Sequence, residues 1–110
     1  MARIDKHGSV YVIRSEGPLR NEAIEPLDKL VEDKLTGGAP LMVVDFAGTP
    51  LIDSAGLEWL LDLSDECCDR GGCLRLCNVG ELCQDVLRVT GVGSRIESFG
   101  DLTAALGSFA

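Results

Sequence analysis

Apolar and polar residues follow two different periods along the chain, and the switch between the two predicts an α/β domain. Residues 10–13 are β-branched or aromatic, residues 41–44 form a continuous apolar run, and residues 73–77 have the pattern of a further strand. Ile4 indicates a short first strand, joined to the second by a turn at residues 6–9. The run at 41–44 ends at Asp45 and predicts a central strand covered on one or both faces.

Four segments between and after these strands carry apolar residues at helical spacing. The predicted stripes are Ile24, Leu27, Leu30, Val31 and Leu35; Leu57, Leu60, Leu61, Ser64 and Cys68; Leu82, Val86 and Val89; and Leu102, Ala105, Leu106 and Phe109. Glycines at 37–38, 71–72 and 91 predict the ends of the first three helices, and Asp101 is expected to cap the fourth. Pro26 fits the first helix only in its first turn, where a missing N–H has no intrahelical partner.

The composition indicates one domain, spanning residues 1–110, with a core of its own. The formal net charge of -8 disfavours nucleic acid and anionic lipid as partners and suits a basic protein. The N-terminus lacks the apolar run of a signal peptide, and no stretch approaches the ~18 apolar residues of a membrane span. The five cysteines are an odd number, so at least one has no partner within the chain. We therefore expect a cytoplasmic protein with free thiols.

The most informative stretch runs from residue 41 to residue 61 and reads LMVVDFAGTPLIDSAGLEWLL. It places a buried strand and a turn with glycine and proline before the motif DSAGL at residues 53–57, which opens the second helix. A five-residue motif such as DSAGL can occur by chance. Its position at a strand-to-helix junction, within this order of elements, makes it a more specific signal.

This stretch resembles the signature of STAS domains, the anti-sigma factor antagonist family, in which a strand ends in Asp and Asp-Ser-x-Gly-Leu begins the next helix. The likeness extends over nearly the whole chain, with similar features at residues 17–19, 71–72 and 89–91. The resemblance implies a four- to five-stranded mixed sheet with about four helices mainly on one side.

The same resemblance implies a bacterial regulatory binding module that is not an enzyme. In its unphosphorylated form an anti-sigma factor antagonist binds an anti-sigma factor serine kinase of the histidine-kinase-like ATPase type, and a sigma factor is released to act in transcription. The kinase ends this partner switching by phosphorylating the motif serine. Carried over by position, the phosphoacceptor is Ser54, with Asp53 beside it.

The chemistry of Ser54 supports two compatible interpretations. A serine at a helix start is usually an N-cap, whose hydroxyl accepts a backbone N–H of the first turn. A cap hydroxyl lies at the surface within reach of a kinase, and a phosphate there meets the positive end of the helix dipole. The phosphate would add a charge of about -1.5 to -2 beside Asp53 and Glu58. A partner whose surface fits a neutral hydroxyl would then no longer bind.

The residues around Ser54 are the predicted partner-binding residues: Asp53, Ala55, Gly56 and Trp59. Gly56 lets another backbone approach closely, or serves only the local geometry of the turn. Trp59 is either a half-buried flank of the core or an interface anchor, because tryptophan is enriched at binding hot spots.

The cysteines do not predict a metal site. Their positions contain no paired C-x-x-C, so they are expected to pack as small apolar groups: Cys67, Cys68, Cys73, Cys77 and Cys83. Redox sensing stays open for whichever of Cys67 or Cys68 is exposed.

No cofactor or catalytic group is predicted from the other polar residues. His7 is the single histidine and lies in a predicted turn, where no nucleophile can be assigned to it. The chain has no phosphate-binding glycine loop. Asp45 and Asp53 would suit a metal if they met above the sheet, although a solvated strand end is the simpler interpretation.

The chain departs from the family pattern before the first helix. Antagonists of this family commonly carry a Gly-Glu-Leu-Asp type motif there, whereas this chain has Gly17, Pro18, Leu19 and Arg20. Both acidic residues are absent, and a basic residue replaces the second. Since the resemblance places this loop near the phosphoacceptor, the change bears on how a kinase would dock.

Two other functions stay open. A STAS subunit that regulates the ATPase of a lipid-trafficking ABC transporter would carry a similar motif at residues 53–56, and neighbouring genes would separate the two systems. A thiol enzyme using Cys67 and Cys68 is a third hypothesis, which vicinal cysteines on a helix disfavour. We expect a monomer or a weak dimer.

Overall fold

A five-stranded mixed sheet forms the centre of the computed structural model, which describes residues 2–109 and leaves Met1 and Ala110 outside the described residues. The strands lie side by side in chain order as β1 (Ala2–His7), β2 (Val10–Ser15), β3 (Leu41–Asp45), β4 (Cys73–Cys77) and β5 (Ser98–Phe99). β1 pairs antiparallel with β2 through the predicted tight turn. The other neighbours are parallel, because a crossover containing a helix joins each pair. The mixed sheet is confirmed.

Three helices cover one face of this sheet and a fourth covers the other, which confirms the expected layering. The helices are α1 (Asn21–Val31), α2 (Ser54–Asp69), α3 (Glu81–Thr90) and α4 (Leu102–Gly107). Short 3-10 turns follow α1 at Glu32–Lys34 and α3 at Val92–Ser94. The first three helices pack on the face that carries Met42 and Val44, whereas α4 packs on the face of Val12 and Val43.

β3 is buried on both faces, as its continuous apolar run predicts. Met42 and Val43 point to opposite faces of the sheet, and both side chains are 0% exposed. The strand therefore offers a rigid origin for the loop at residues 46–53, which leads from its carboxyl end to α2.

Pro26 lies in the second turn of α1, so its predicted place in the first turn is wrong. The helix begins at Asn21, directly after the extended residue Arg20, and the proline falls inside it. The missing N–H removes one internal hydrogen bond to the carbonyl of Glu22. α1 ends at Val31, and a 3-10 turn follows it at Glu32–Lys34. The helix therefore stops earlier than the predicted end at glycines 37–38.

The buried face of α2 is rotated from the predicted stripe. Leu60 lies in the core as predicted, but Leu63 and Cys67 are buried in place of Ser64 and Cys68. Cys68 is exposed.

The predicted stripe of α3 is wrong at two of its three positions. Cys83 and Leu87 form the buried face, whereas Leu82 and Val89 are 57% and 73% exposed. Val86 lies between the buried face and the exposed face of the helix and is half-buried. Both faces of α3 satisfy the helical spacing, so the spacing alone does not decide which face is buried. A free thiol packs in a core as well as a methyl group does, which allows Cys83 to be buried.

Three predicted helix ends are confirmed by their geometry. Gly71 follows α2 and Gly91 follows α3, with left-handed φ angles of 83° and 81° that glycine adopts without strain. Asp101 caps α4, because its Oδ1 accepts the backbone N–H of Ala104 at 2.7 Å.

Candidate functional site

Ser54 is the first residue of α2 and is exposed, at the point where the loop from β3 enters the helix. The prediction that it begins a helix after a core strand is confirmed. The free N–H groups of the first helical turn point toward this end of α2. Phosphorylation of Ser54 stays a prediction.

Asp53, and not Ser54, caps α2. Asp53 has an extended backbone with φ -106° and ψ -174°, and its Oδ1 accepts the backbone N–H of Gly56 at 3.0 Å. The N-cap interpretation of Ser54 is therefore wrong, because a carboxylate one residue earlier occupies the capping position. Within residues 2–109, no group forms a hydrogen bond with the Ser54 hydroxyl.

Gly56 is buried against the backbone carbonyl of Leu19. A Cβ at position 56 would overlap that oxygen and would lie 2.8 Å from the Ile52 side chain. The predicted close backbone approach is thus real, but the approaching backbone belongs to this chain.

The loop before α1 lies directly beside the motif. The Leu19 N–H donates to the Leu51 carbonyl at 2.9 Å, and the Leu19 carbonyl accepts the Asp53 N–H at 3.2 Å. These bonds confirm the implied nearness of this loop to Ser54. Arg20 follows Leu19 and is exposed, so a basic side chain stands next to the motif.

Asp45 organises a polar network at the carboxyl ends of β2, β3 and β4. Its Oδ2 accepts from Arg14 Nε at 2.9 Å, and its Oδ1 accepts from Asn78 Nδ2 at 3.1 Å. The backbone N–H of Ala47 also donates to Oδ1, at 2.9 Å. Burial raises the pKa of Asp45, but these hydrogen bonds outweigh burial and hold the pKa below its usual range. The network fixes the start of the loop that ends at Ser54.

Asp45 and Asp53 serve separate tasks. The first is bonded to Arg14 and Asn78, and the second caps α2. Within the described part of the chain, no three His, Cys, Asp or Glu side chains cluster as metal ligands would. No motif in the sequence marks Arg14 or Asn78 as partners of Asp45. Arg14 stands opposite Asp45 only in the register of the parallel strands.

Trp59 is 5% exposed, which is deeper than the predicted half-buried flank. Its indole N–H donates to Asp28 Oδ1 at 2.8 Å and so ties α2 to α1. A partner can reach little of the ring, which leaves Ala55 and Glu58 as the more accessible neighbours of Ser54 on α2.

A groove of about 720 Å³ runs between α1 and α2. Its lining combines apolar residues with carboxylates: Ile24, Val31, Leu35, Trp59 and Leu63, and Asp28, Glu32, Glu58, Asp62 and Glu66. Ala55 lines the end nearest to Ser54, and Arg70 lines the other end.

All five cysteines are free. Burial is the main cause that raises the pKa of Cys67 and of Cys77 to about 12, so neither forms a thiolate readily. Cys83 is buried as well, and burial raises its pKa too. Cys68 is the exposed member of the vicinal pair.

Within residues 2–109, no helix combines the length and the apolar character that a membrane crossing requires.

A family model described as the STAS domain matches residues 1–105. Similar solved structures include an anti-sigma factor antagonist from Mycobacterium paratuberculosis, with 18% identity, a TM-score of 0.86 and coverage of 98% of this chain and 92% of that chain. The Bacillus cell fate determinant SpoIIAA in the phosphorylated form has 20% identity, a TM-score of 0.76 and 100% coverage of both chains. A sulfate transporter family protein from Wolinella succinogenes has 19% identity, a TM-score of 0.81 and coverage of 93% and 85%. No curated protein matches the chain. At these identities the likeness establishes the fold.

Proposed function

The chain belongs to the STAS domain family, and on that premise we propose that it acts as an anti-sigma factor antagonist. In its unphosphorylated form it binds an anti-sigma factor kinase of the histidine-kinase-like ATPase type, which frees a sigma factor. Phosphorylation of Ser54 ends the binding. The domain itself is a binding module with no catalytic role.

The observation that carries this proposal is the freedom of the Ser54 hydroxyl. Asp53 takes over the capping bond to Gly56, so the exposed hydroxyl at the first helical position has no structural task. A phosphoryl group can be added there without breaking a hydrogen bond of the fold. The first-turn N–H groups and the helix dipole favour a negative group at this position.

The binding surface that we propose is centred on Ser54 and includes the accessible parts of Asp53, Ala55 and Arg20. Gly56 and Trp59 are buried and support this surface indirectly. Gly56 allows Leu19 to pack closely against α2, and the bond from Trp59 to Asp28 holds α2 on α1. A phosphate brings a charge of about -1.5 to -2 into this surface, close to Asp53 and Glu58. A partner fitted to a neutral hydroxyl then loses contact through charge and bulk.

The names of similar proteins agree with the proposal. The mycobacterial protein is described as an anti-sigma factor antagonist, and the Bacillus protein was solved in a phosphorylated form.

The test starts with affinity capture of partners from the native host by the unphosphorylated protein. A captured ATPase is then incubated with ATP and the protein, and the modified residue is located by tandem mass spectrometry. Ser54→Ala should abolish phosphate incorporation, whereas Ser98→Ala, which alters another exposed serine, should not. Phosphate on a different residue, or equal binding of both forms to the kinase, would show that the proposal is wrong.

The basic residue Arg20 beside the motif supports a second candidate function. A basic residue beside the motif, where antagonists of the family commonly carry an acidic one, changes the charge that a kinase meets. A STAS subunit that regulates the ATPase of a lipid-trafficking ABC transporter is the alternative. The same capture experiment separates the two, because it returns a transporter ATPase in place of a kinase.

A further inference from the structure

Two rows of carboxylates flank the groove between α1 and α2. On α2, Glu58, Asp62 and Glu66 recur every four residues, so they form one ridge with about 6 Å of rise between neighbours. On the other side, Asp28 of α1 and Glu32 of the 3-10 turn that follows α1 line the groove. The apolar floor lies between these rows.

Most of this charge is not balanced inside the chain. Among residues 2–109, none forms an ion pair or a hydrogen bond with the side chains of Glu32, Glu58 or Asp62. Asp28 accepts the bond from Trp59, and Glu66 pairs with Arg70 at 3.5 Å. Arg70 is the single basic residue in the described lining of the groove.

The arrangement works against the free protein. Like charges four residues apart on one helix repel each other, so the acidic row on α2 destabilises that helix when no cation lies in the groove. Cationic side chains placed between the rows would relieve that repulsion. The half-buried Ile24, together with the small exposed edge of Leu35 at 8%, would contact apolar side chains from the same ligand.

We propose that this groove is a docking site for a basic amphipathic α-helix of a partner protein. The partner helix lays its apolar face on the groove floor and directs Lys or Arg side chains toward the two acidic rows. This is the helix-in-groove mode of recognition, with the charge pattern set by Glu58 and Asp62 on one side and Glu32 on the other. The net charge of -8 steers such a helix toward the domain. The proposal does not depend on the modification of Ser54.

The probe is a synthetic amphipathic helix of about 16 residues, with leucines on one face and lysines on both flanks. Because Trp59 is only 5% exposed, binding is read from the fluorescence anisotropy of a dye attached to the peptide. The expected result is a saturable rise in anisotropy, with an affinity that weakens as salt is added. The double variant Glu58→Gln/Asp62→Asn should bind about three- to tenfold more weakly.

Two controls separate docking from general attraction of opposite charges. The variant Glu81→Gln/Asp85→Asn removes the same charge from α3 and should bind as the unmodified protein does. A second peptide keeps every lysine but has serine at the leucine positions, and it should not bind. Equal binding of the two peptides, an unchanged affinity of the groove variant, or no rise in peptide anisotropy would overturn the proposal.

Discussion

The carboxylate of Asp53 accepts the backbone N–H of Gly56 at 3.0 Å, and this bond holds the first turn of α2 without help from Ser54. On the proposed function, capping and switching belong to two adjacent side chains. The helix start can keep one structure whether or not the serine is modified, since the group that stabilises it is not the group that changes.

The first prediction concerns the stability of this turn. Asp53→Ala should lower the free energy of unfolding by about 1 kcal/mol through the lost cap, whereas Ser54→Ala should change it by less than about 0.5 kcal/mol. Asp53→Asn keeps a capping oxygen and should stay close to the unmodified protein. Urea denaturation measures all three, and a larger cost for Ser54→Ala than for Asp53→Ala would contradict the capping assignment.

The second prediction concerns partner binding. Ser54→Ala should bind the kinase within about threefold of the unmodified protein, and Ser54→Asp should bind more weakly because it brings negative charge to the contact. Phosphoserine carries more charge and should weaken binding most. Calorimetric titration measures the affinities, and thermal melts check that every form is folded. The idea fails if the phosphorylated protein binds as tightly as the unmodified one.

The third prediction tests the contact between Gly56 and Leu19. Gly56→Ala should cost about 1–3 kcal/mol, since the added methyl group meets a backbone oxygen that cannot move without breaking the loop contacts. Gly107→Ala in α4 is the matched control, because a Cβ there meets nothing within 4 Å. That substitution should be neutral or slightly stabilising. Equal destabilisation by both changes, in chemical denaturation, would show that the close approach is not the cause.

The fourth prediction concerns pH. The pKa of Asp45 is lowered from its ordinary value of 3.8 in the folded state, so its ionised form stabilises the fold above that value. The stabilisation is lost as pH falls through the lower folded-state pKa. Asp45→Asn should cost about 1–3 kcal/mol near neutral pH, because Arg14 loses its short ion pair with Asp45 and keeps only the longer one of 3.7 Å with Asp5. The cost should shrink below about pH 4.

The control for this prediction is Asp69→Asn, which removes an exposed carboxylate at the end of α2. Denaturation curves between acidic and neutral pH compare the three proteins. An Asp45→Asn cost that stays constant with pH would mean that the ionised carboxylate adds nothing to stability.

The fifth prediction concerns thiol reactivity. Cys68 should react first with a thiol reagent in the folded protein, because it is exposed, whereas burial raises the pKa of Cys67 and of Cys77 to about 12. Cys68→Ser should remove the fast phase, and Cys77→Ser should leave it in place. A fast phase that survives Cys68→Ser would assign the reactive thiol to another position.

The order of elements and the start of α2 could be predicted from the sequence, because each rests on local chemistry. β-Branched and apolar runs specify β2 and β3, and an Asp-Ser pair after a turn specifies a helix start. The choice between Asp53 and Ser54 as the cap could not be predicted. Both side chains can cap a helix, and the backbone angles of the junction decide between them.

The faces of α2 and α3 were harder to predict because two adjacent arcs of each helix satisfy the helical period. The face of α3 with Leu82 and Val89 is more apolar by residue type, yet Cys83 and Leu87 are the residues buried in the core. The Asp45 network needs the strand register, which brings Arg14 opposite Asp45, and that pairing cannot be read from either strand alone.

The ridge of carboxylates on α2 has one more position toward its N-terminus, since Ser54 lies four residues before Glu58. A phosphate on Ser54 would lengthen the acidic row by about one turn. The modification that repels a partner fitted to the neutral hydroxyl would then strengthen attraction for a basic helix in the adjoining groove. On the two proposals taken together, the domain would act as a selector between two ligands, because modification of Ser54 would weaken the binding of the kinase and strengthen the binding of the basic helix.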